Sequence, residues 1–309
     1  MNNTVLCIVG PTASGKTALS VAAAKHFDGE IVSADAVSVY KGLDIGSAKP
    51  TMTEREGIVH HLLDCVEIID STFSVSVFRT LAREAIDDIL SRKKLPIVVG
   101  GSGLYADAIF SDMGFSAPSD PDIRAKLDEE YQQDKNAVFS RLAACDPVTA
   151  ARLHINDQKR VVRALEVFAV TGRPFSEWNR EFSDAQQNDG TYRTVKIGLT
   201  MPREILYQRI DRRVDLMMES GLKAEAFALF KQGLTPERFT AMRSIGYAQL
   251  YDCYLGRCTE DESTAKIKLD TRHFAKRQIT WFKRDSHTVW MDPTKTSLEE
   301  MIREIEDML

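Results

Sequence analysis

Gly10-Pro11-Thr12-Ala13-Ser14-Gly15-Lys16-Thr17 follows the apolar run Val5-Leu6-Cys7-Ile8-Val9 and leads into an alanine-rich stretch that reaches His26 without a proline. The spacing is that of a phosphate loop, G-x-x-x-x-G-K-[ST], in the strand, loop and helix frame such loops normally occupy. Backbone N–H groups and a helix N-terminus surround a phosphate there, Lys16 supplies a point charge, and the Thr17 hydroxyl can ligate Mg²⁺. The eight residues grip a diphosphate without saying whose. They set the core of the expected fold class, which is α/β, a P-loop NTPase-like core with a parallel sheet flanked by helices, plus an inserted all-helical domain read from the stretch after Ser116.

Ile31-Val32-Ser33-Ala34-Asp35 reads as a second short strand ending in a carboxylate. In an open parallel sheet the carboxyl ends of strands face the ligand crevice, so Asp35 stands beside bound phosphates as a metal ligand or a general base. An aspartate that merely caps a turn is the plainer alternative. Val39 to Pro50, with its glycines, proline and lysines, reads as a solvated surface loop. His60 and His61 point opposite ways on a strand, so at most one faces a site, and packed or turn histidines are favoured. Phe73 to Arg92 carries a helical apolar stripe that covers the sheet. Leu95 to Val99 reads as a central strand ending in Gly100-Gly101-Ser102-Gly103. Glycines there permit close backbone approach to a ligand, and the Ser102 hydroxyl can donate to an anionic oxygen; a tight turn is the alternative.

At Ser116 to Pro121 the character changes to helical pattern: Ile123 to Asp134, Asn136 to Cys145, Pro147 to His154 and Asp157 to Thr171, up to the polar stretch Ser183 to Gly190. The expected organisation is a core of residues 1–116 and 191–309 with a helical insertion, 117–190. Gln158, Lys159, Arg160 and Arg163 put cations at a helix start, where the dipole disfavours them. That points to an anionic partner, with a solvated face as the alternative. Tyr192 to Leu199 alternates like a strand, and a helix from Pro202 to Ser220 carries Arg209 and Arg213 on one face. These close over a phosphate or form surface ion pairs with Asp211, Asp215 and Glu219. After a glycine break at Arg243 to Tyr247, the final long helix, about Ser263 to Asp285, holds Lys266, Lys268, Arg272, His273, Lys276, Arg277, Lys283 and Arg284, with Phe274, Trp281 and Phe282 interleaved. Arg272, Lys276 and Lys283 share a face. Basic residues among aromatics at this density are what a nucleic-acid backbone recruits.

The 309 residues, 43% hydrophobic and 28% charged, suit a globular protein near two domains in size. A formal charge of -5 means that any nucleic-acid binding must come from local patches. Five scattered cysteines fit a reduced compartment without a structural metal. Met1-Asn2-Asn3-Thr4 lacks a basic region, and the apolar run after it is too short for a signal core or a membrane span. A cytoplasmic location, no membrane association and a monomer are expected.

The ordered set of motifs resembles the tRNA dimethylallyltransferase (isopentenyl-tRNA transferase) family over nearly the whole length. The resemblance runs through 10–17, Ser-Ala-Asp at 33–35, Val39 to Pro50, His-His-Leu-Leu-Asp at 60–64 and Val-Gly-Gly-Ser-Gly-Leu-Tyr at 99–105. It continues through Asn156-Asp157, Arg-Ala-Leu-Glu-Val at 163–167, Thr-Gly-Arg-Pro at 171–174, Ile-Gly-Tyr at 245–247 and Ala-Lys-Arg-Gln-Ile-Thr-Trp at 275–281. No zinc-finger extension follows Trp281, as in the bacterial form.

The resemblance implies transfer of a dimethylallyl group from dimethylallyl diphosphate to the exocyclic amine of adenosine 37 in the tRNA anticodon arm, with Mg²⁺. Gly10 to Thr17 then hold the isoprenoid diphosphate together with Arg209, and Thr17 ligates the metal. Asp35 is the base, and Lys16 and Ser102 assist the leaving diphosphate. The tRNA falls to Asp35, Ala36, Val37, Ser38 and Ser102 at the target base, and to Arg124, Gln158, Lys159, Arg160, Arg163, Arg243, Arg272, Lys276 and Arg277 around it. The family usually has Ser-x-Gln where this chain has Ala36-Val37-Ser38, a threonine at Ser102 and a proline at Asn156. The competing readings are a P-loop small-molecule kinase with Asp35 as its base, an adenylate isopentenyltransferase, and an RNA-docking module with a regulatory nucleotide.

Overall fold

The run Thr4–Val9 forms β1, and all six of its residues are buried, as a strand covered on both faces by helices requires. The computed structural model describes residues 3–111, 120–178 and 190–309. Its sheet adds β2 (Gly29–Ser33), β3 (His60–His61), β4 (Leu95–Gly100), β5 (Arg193–Leu199) and β6 (Val289–Met291) in the order β3-β2-β4-β1-β5-β6. Every pairing is parallel. This is the expected α/β architecture. The order has a functional consequence: β2, β4 and β1 are consecutive neighbours, so the segments leaving their carboxyl ends emerge side by side.

The Lys16–His26 helix lays Leu19, Ala23 and Ala24 on the sheet, and small residues let it approach closely. Lys25 and His26 in its last turn suit the negative end of the helix dipole. The Val75–Ser91 helix, capped by Ser74, buries Phe78, Ala82, Ile86 and Ile89. The chain divides into two compact units, Met1–Ile109 with Gly190–Leu309, and Phe110–Asp189. The second has helices Pro121–Gln133, Lys135–Cys145, Pro147–Arg152 and Gln158–Thr171. Asp120, Asp134 and Asp146 cap the first three through their side chains, and Leu127, Val138, Leu142, Val161 and Leu165 fill the core. The expected boundary at residues 116 and 117, and the polar stretch before Gly190, lie outside the described residues.

Three expectations change. The long basic helix is Glu260–Phe282: Thr259 and Glu262 form a capping box that starts it before Ser263. It is not the last element, because β6 and the helix Leu298–Glu306 follow, the latter burying Met301, Ile302 and Ile305 against the sheet. Val39 to Pro50 is not a solvated loop. Val39 and Leu43 are fully buried, and the backbone N–H groups of Asp44, Ile45 and Gly46 donate to Glu225 at 3.2, 2.9 and 3.2 Å. Irregular backbone can be buried there because a carboxylate from the Leu222–Lys231 helix satisfies it.

His61 on the edge strand shares the buried Glu30 carboxylate with Arg92 and Lys94. Hydrogen bonds from Arg92, helped by His61 and Lys94 against the opposing effect of burial, hold Glu30 down at about 2 from its ordinary 4.5. A depressed carboxyl contributes stability above its unfolded value and loses it as the pH falls through the folded one. Glu30→Ala should therefore cost about 3 kcal/mol in urea unfolding at neutral pH. The difference from wild type should shrink between pH 4.5 and about 2; a pH-independent difference would remove Glu30 as its source.

Candidate active site

The phosphate loop leaves β1 through Gly10, whose φ is 147° and where a Cβ would stand 2.7 Å from the Leu199 carbonyl oxygen. Gly15, φ 98°, is the N-cap of the Lys16–His26 helix, and no side chain caps that helix, so its N-terminal amides are left for an anion. Lys16 Nζ donates to the carbonyls of Gly10 and Pro11 at 2.9 and 2.7 Å, which holds it over the loop. Burial, reinforced by the positive charge of Arg213 and opposed by Asp35, lowers Lys16 to about 7. The Ser14 hydroxyl is fully buried without a partner.

β2 ends beside β4, where Ala34 N–H donates to Val99 O at 2.7 Å. Gly100 is obligatory here, since a Cβ would collide with the Ala34 carbonyl. Asp35 is half-buried, and its Oδ1 accepts from the backbone N–H of Val37 at 2.8 Å and Ser38 at 3.1 Å. Ser102 Oγ accepts from Ala36 N–H at 3.1 Å, which joins the loop after β4 to the segment after β2. The Asp35 carboxylate and the phosphate loop thus stand on either side of the glycine-rich turn. Burial, with Tyr40 and Asp35 nearby, pushes the Tyr105 phenol up to about 12, so it remains a donor.

Of the expected contact residues, Gly10 to Thr17, Asp35, Ala36 and Ser102 are brought together. Val37 and Ser38 follow directly, but Ser38 turns inward, its hydroxyl 3.1 Å from that of Ser33. Arg209 and Arg213 separate. Arg209 is exposed, with its charge felt at Asp292, whereas Arg213 is turned toward Lys16 and Asp35 and reaches Ala48 O at 3.4 Å. Arg272 pairs with both oxygens of Asp211, and Lys268 with Asp215 at 2.6 Å, so these two cations tie the long helix to the Arg203–Glu219 helix. Lys276 and Arg277 are exposed with no carboxylate partner among the described residues. Arg243 Nε donates to Pro236 O at 2.8 Å.

In the helical unit, Arg124 and Arg163 both hold the fully buried Glu166, which also accepts from Asp120 N–H. Gln158 bonds Asp128 at 2.8 Å, Arg160 pairs with Asp157 at 2.8 Å, and Lys159 is exposed. Gln278 stands out only in three dimensions: its nearly buried amide accepts from Thr12 N–H at 2.9 Å and donates to Gly101 O at 3.0 Å. Gln278 lies within the motif at 275–281, but neither its residue type nor its spacing points to the phosphate loop.

The donors present fit a hard divalent cation. Thr17 and Asp35 offer oxygens, and the orphaned Ser14 hydroxyl marks a cradle built for polar atoms. Such a donor set suits Mg²⁺ held mainly by substrate phosphates.

A phosphate loop at the switch of a parallel sheet, a carboxylate two strands away and a serine turn between them define a P-loop-type α/β fold whose strand ends offer an anion site. A model of the IPP transferase family matches residues 38–285, and the chain belongs to that family. The tRNA dimethylallyltransferase of Geobacillus thermodenitrificans is 45% identical, over 99% of this chain and 97% of that protein. The tRNA dimethylallyltransferase 2 of Geotalea uraniireducens is 48% identical, over 93% and 92%. Among solved structures, the tRNA isopentenylpyrophosphate transferase of Bacillus halodurans superposes with a TM-score of 0.72 at 39% identity, covering 99% of this chain and 95% of that one. A eukaryotic dimethylallyltransferase acting on tRNA gives 0.77 at 29% identity, covering 94% and 73%.

Anion binding should return Lys16 toward its ordinary value and so take up a proton above about pH 7. Calorimetry with inorganic diphosphate in buffers of different ionisation enthalpy is expected to show that uptake at pH 8 in the wild type and not in Lys16→Met. Equal uptake in both would assign it to the ligand.

Proposed function

We propose that this chain transfers a dimethylallyl group from dimethylallyl diphosphate to the exocyclic N6 amine of adenosine 37 in tRNA, releasing diphosphate. The observation that carries this reading is the Asp35 carboxylate, held half-buried by two backbone N–H groups beside a loop built for a diphosphate. The names of the relatives support the same reaction class. In the step, the allylic C1–O bond breaks as the N6–C1 bond forms, and the amine proton passes to Asp35. The amine is a poor nucleophile because its lone pair is delocalised into the ring, so a base and a stabilised leaving group are both needed.

Lys16, the uncapped helix N-terminus and the Ser102 hydroxyl serve the leaving diphosphate, with Arg213 the better placed arginine. Arg209, which is exposed, would have to turn inward to take part. Mg²⁺, held by Thr17 and the substrate's own oxygens, would neutralise charge that develops on the diphosphate. The tRNA anticodon stem-loop is proposed to meet the helical unit through Lys159 and Arg160, and the long helix through Lys276 and Arg277. A monomer acting in the cytoplasm suffices for this scheme. No helix among the described residues is long and apolar enough to cross a membrane.

Purified protein with Mg²⁺ should move a labelled dimethylallyl group onto unmodified tRNA when tRNA, AMP and ATP are offered in parallel. Labelling of AMP alone would favour an adenylate isopentenyltransferase, and ATP turnover without prenyl transfer a kinase. Asp35→Ala should lower the transfer rate at least about 100-fold while tRNA binding changes little. A near-normal rate would remove Asp35 as the base.

Lys276→Ala with Arg277→Ala should weaken tRNA binding and flatten its salt dependence by about one to two charges' worth of slope. An unchanged slope would leave these cations as a solvated face.

A further inference from the structure

The active-site walls come from separate parts of the chain, and one side chain joins two of them. Gln278 lies in the interior of the Glu260–Phe282 helix and is 5% exposed. Its Oε1 accepts from Thr12 N–H at 2.9 Å, inside the phosphate loop, and its Nε2 donates to Gly101 O at 3.0 Å, one residue before Ser102. Ser102 Oγ in turn accepts from Ala36 N–H, next to Asp35. A continuous chain of polar contacts therefore runs from the diphosphate loop through the Gln278 amide to the segment bearing the carboxylate. Gly101 is part of the fit: a Cβ there would collide with Gln278 Nε2. The carboxamide accepts from the first loop through its oxygen and donates to the second through its nitrogen, so one planar group serves both.

We propose that Gln278 is a positioning residue for the transfer reaction, setting the distance between the diphosphate grip and the Asp35 side of the site without touching either substrate. The inference rests on the prenyl-transfer reading. Its consequence is specific: removing the amide leaves each loop able to bind its own ligand but no longer fixes their separation. Misplacement of reacting groups by a fraction of a bond length is costly to the chemical step while leaving affinity nearly intact.

The test is single-turnover transfer to tRNA at saturating dimethylallyl diphosphate, with equilibrium binding of inorganic diphosphate and of tRNA measured separately. Gln278→Met keeps the length and volume and removes both hydrogen bonds. The rate is expected to fall at least about 30-fold, with both dissociation constants within about threefold of wild type. A rate within threefold of wild type, or a loss of diphosphate or tRNA affinity as large as the loss of rate, would overturn the proposal.

Gly101→Ala attacks the same contact from the other side. Gly101 has no left-handed backbone to be strained, so its added methyl acts through Gln278. Its rate should fall in the same way, which keeps the proposal testable should Gln278→Met not fold. The double variant should be no slower than the slower single one, whereas losses that multiply would show two independent effects. If the wild type transfers nothing to tRNA, the activity reading fails by itself. The clamp is then read by amide hydrogen exchange: faster exchange in both 10–15 and 100–104 on Gln278→Met supports it, and acceleration in one loop or neither overturns it.

Discussion

The bond from Ala34 N–H to Val99 O, with Gly100 allowing the backbones to meet, is the contact on which the site depends. It extends the β2 and β4 pairing past the last residue of β2, so the chain cannot turn away before Asp35. With β1 on the other flank of β4, the three segments carrying the phosphate loop, the serine turn and the carboxylate leave the sheet as neighbours. Any side chain at Gly100 would separate β2 from β4 where the chemistry requires them together. The site is thus a consequence of strand order, and the local motifs only decorate the strand ends.

Much of this was legible in the sequence. The phosphate loop declares itself through spacing and context, and a carboxylate at a strand end follows from the general geometry of open parallel sheets. The helices of the second unit were marked by their helical pattern, and the structure adds aspartate caps at the starts of three of them. Two failures have a common cause: short or irregular segments stabilised by partners distant in sequence. β6 is three residues long and has no period to detect, and Val39 to Pro50 looks solvated because the Glu225 that satisfies its backbone lies about 180 residues away. The role of Gln278, though it stands in the motif at 275–281, was hidden for the same reason, since a hydrogen bond to Thr12 leaves no pattern in either stretch.

The cations show the limit of counting charge. The long helix carries enough lysine and arginine to suggest a single basic face, yet Arg272 and Lys268 are spent on Asp211 and Asp215 of the helix packed against it. Arg124 and Arg163 likewise neutralise a carboxylate with no solvent exposure, a role whose loss would leave Glu166 charged and buried. What remains for an RNA backbone is a smaller set, among them Lys159, Lys276 and Arg277. The same separation divides the two arginines of the Arg203–Glu219 helix, one facing the phosphate loop and the other solvent. Spacing of four residues gives a shared face, but not a shared neighbour.

Trp281 lies one turn beyond Gln278 on the long helix. Its indole N–H donates to Asp107 at 2.7 Å, the Arg284 guanidinium stacks 3.9 Å from its ring, and Gly103 packs so closely that a Cβ there would collide with it. An indole wedged between a charge and the turn that bears Ser102 is sensitive to sub-ångström changes in both. The enzyme therefore carries an optical gauge of its own: Trp281 emission, isolated by replacing Trp178 and Trp290, would report any change in the packing of that turn without an added label.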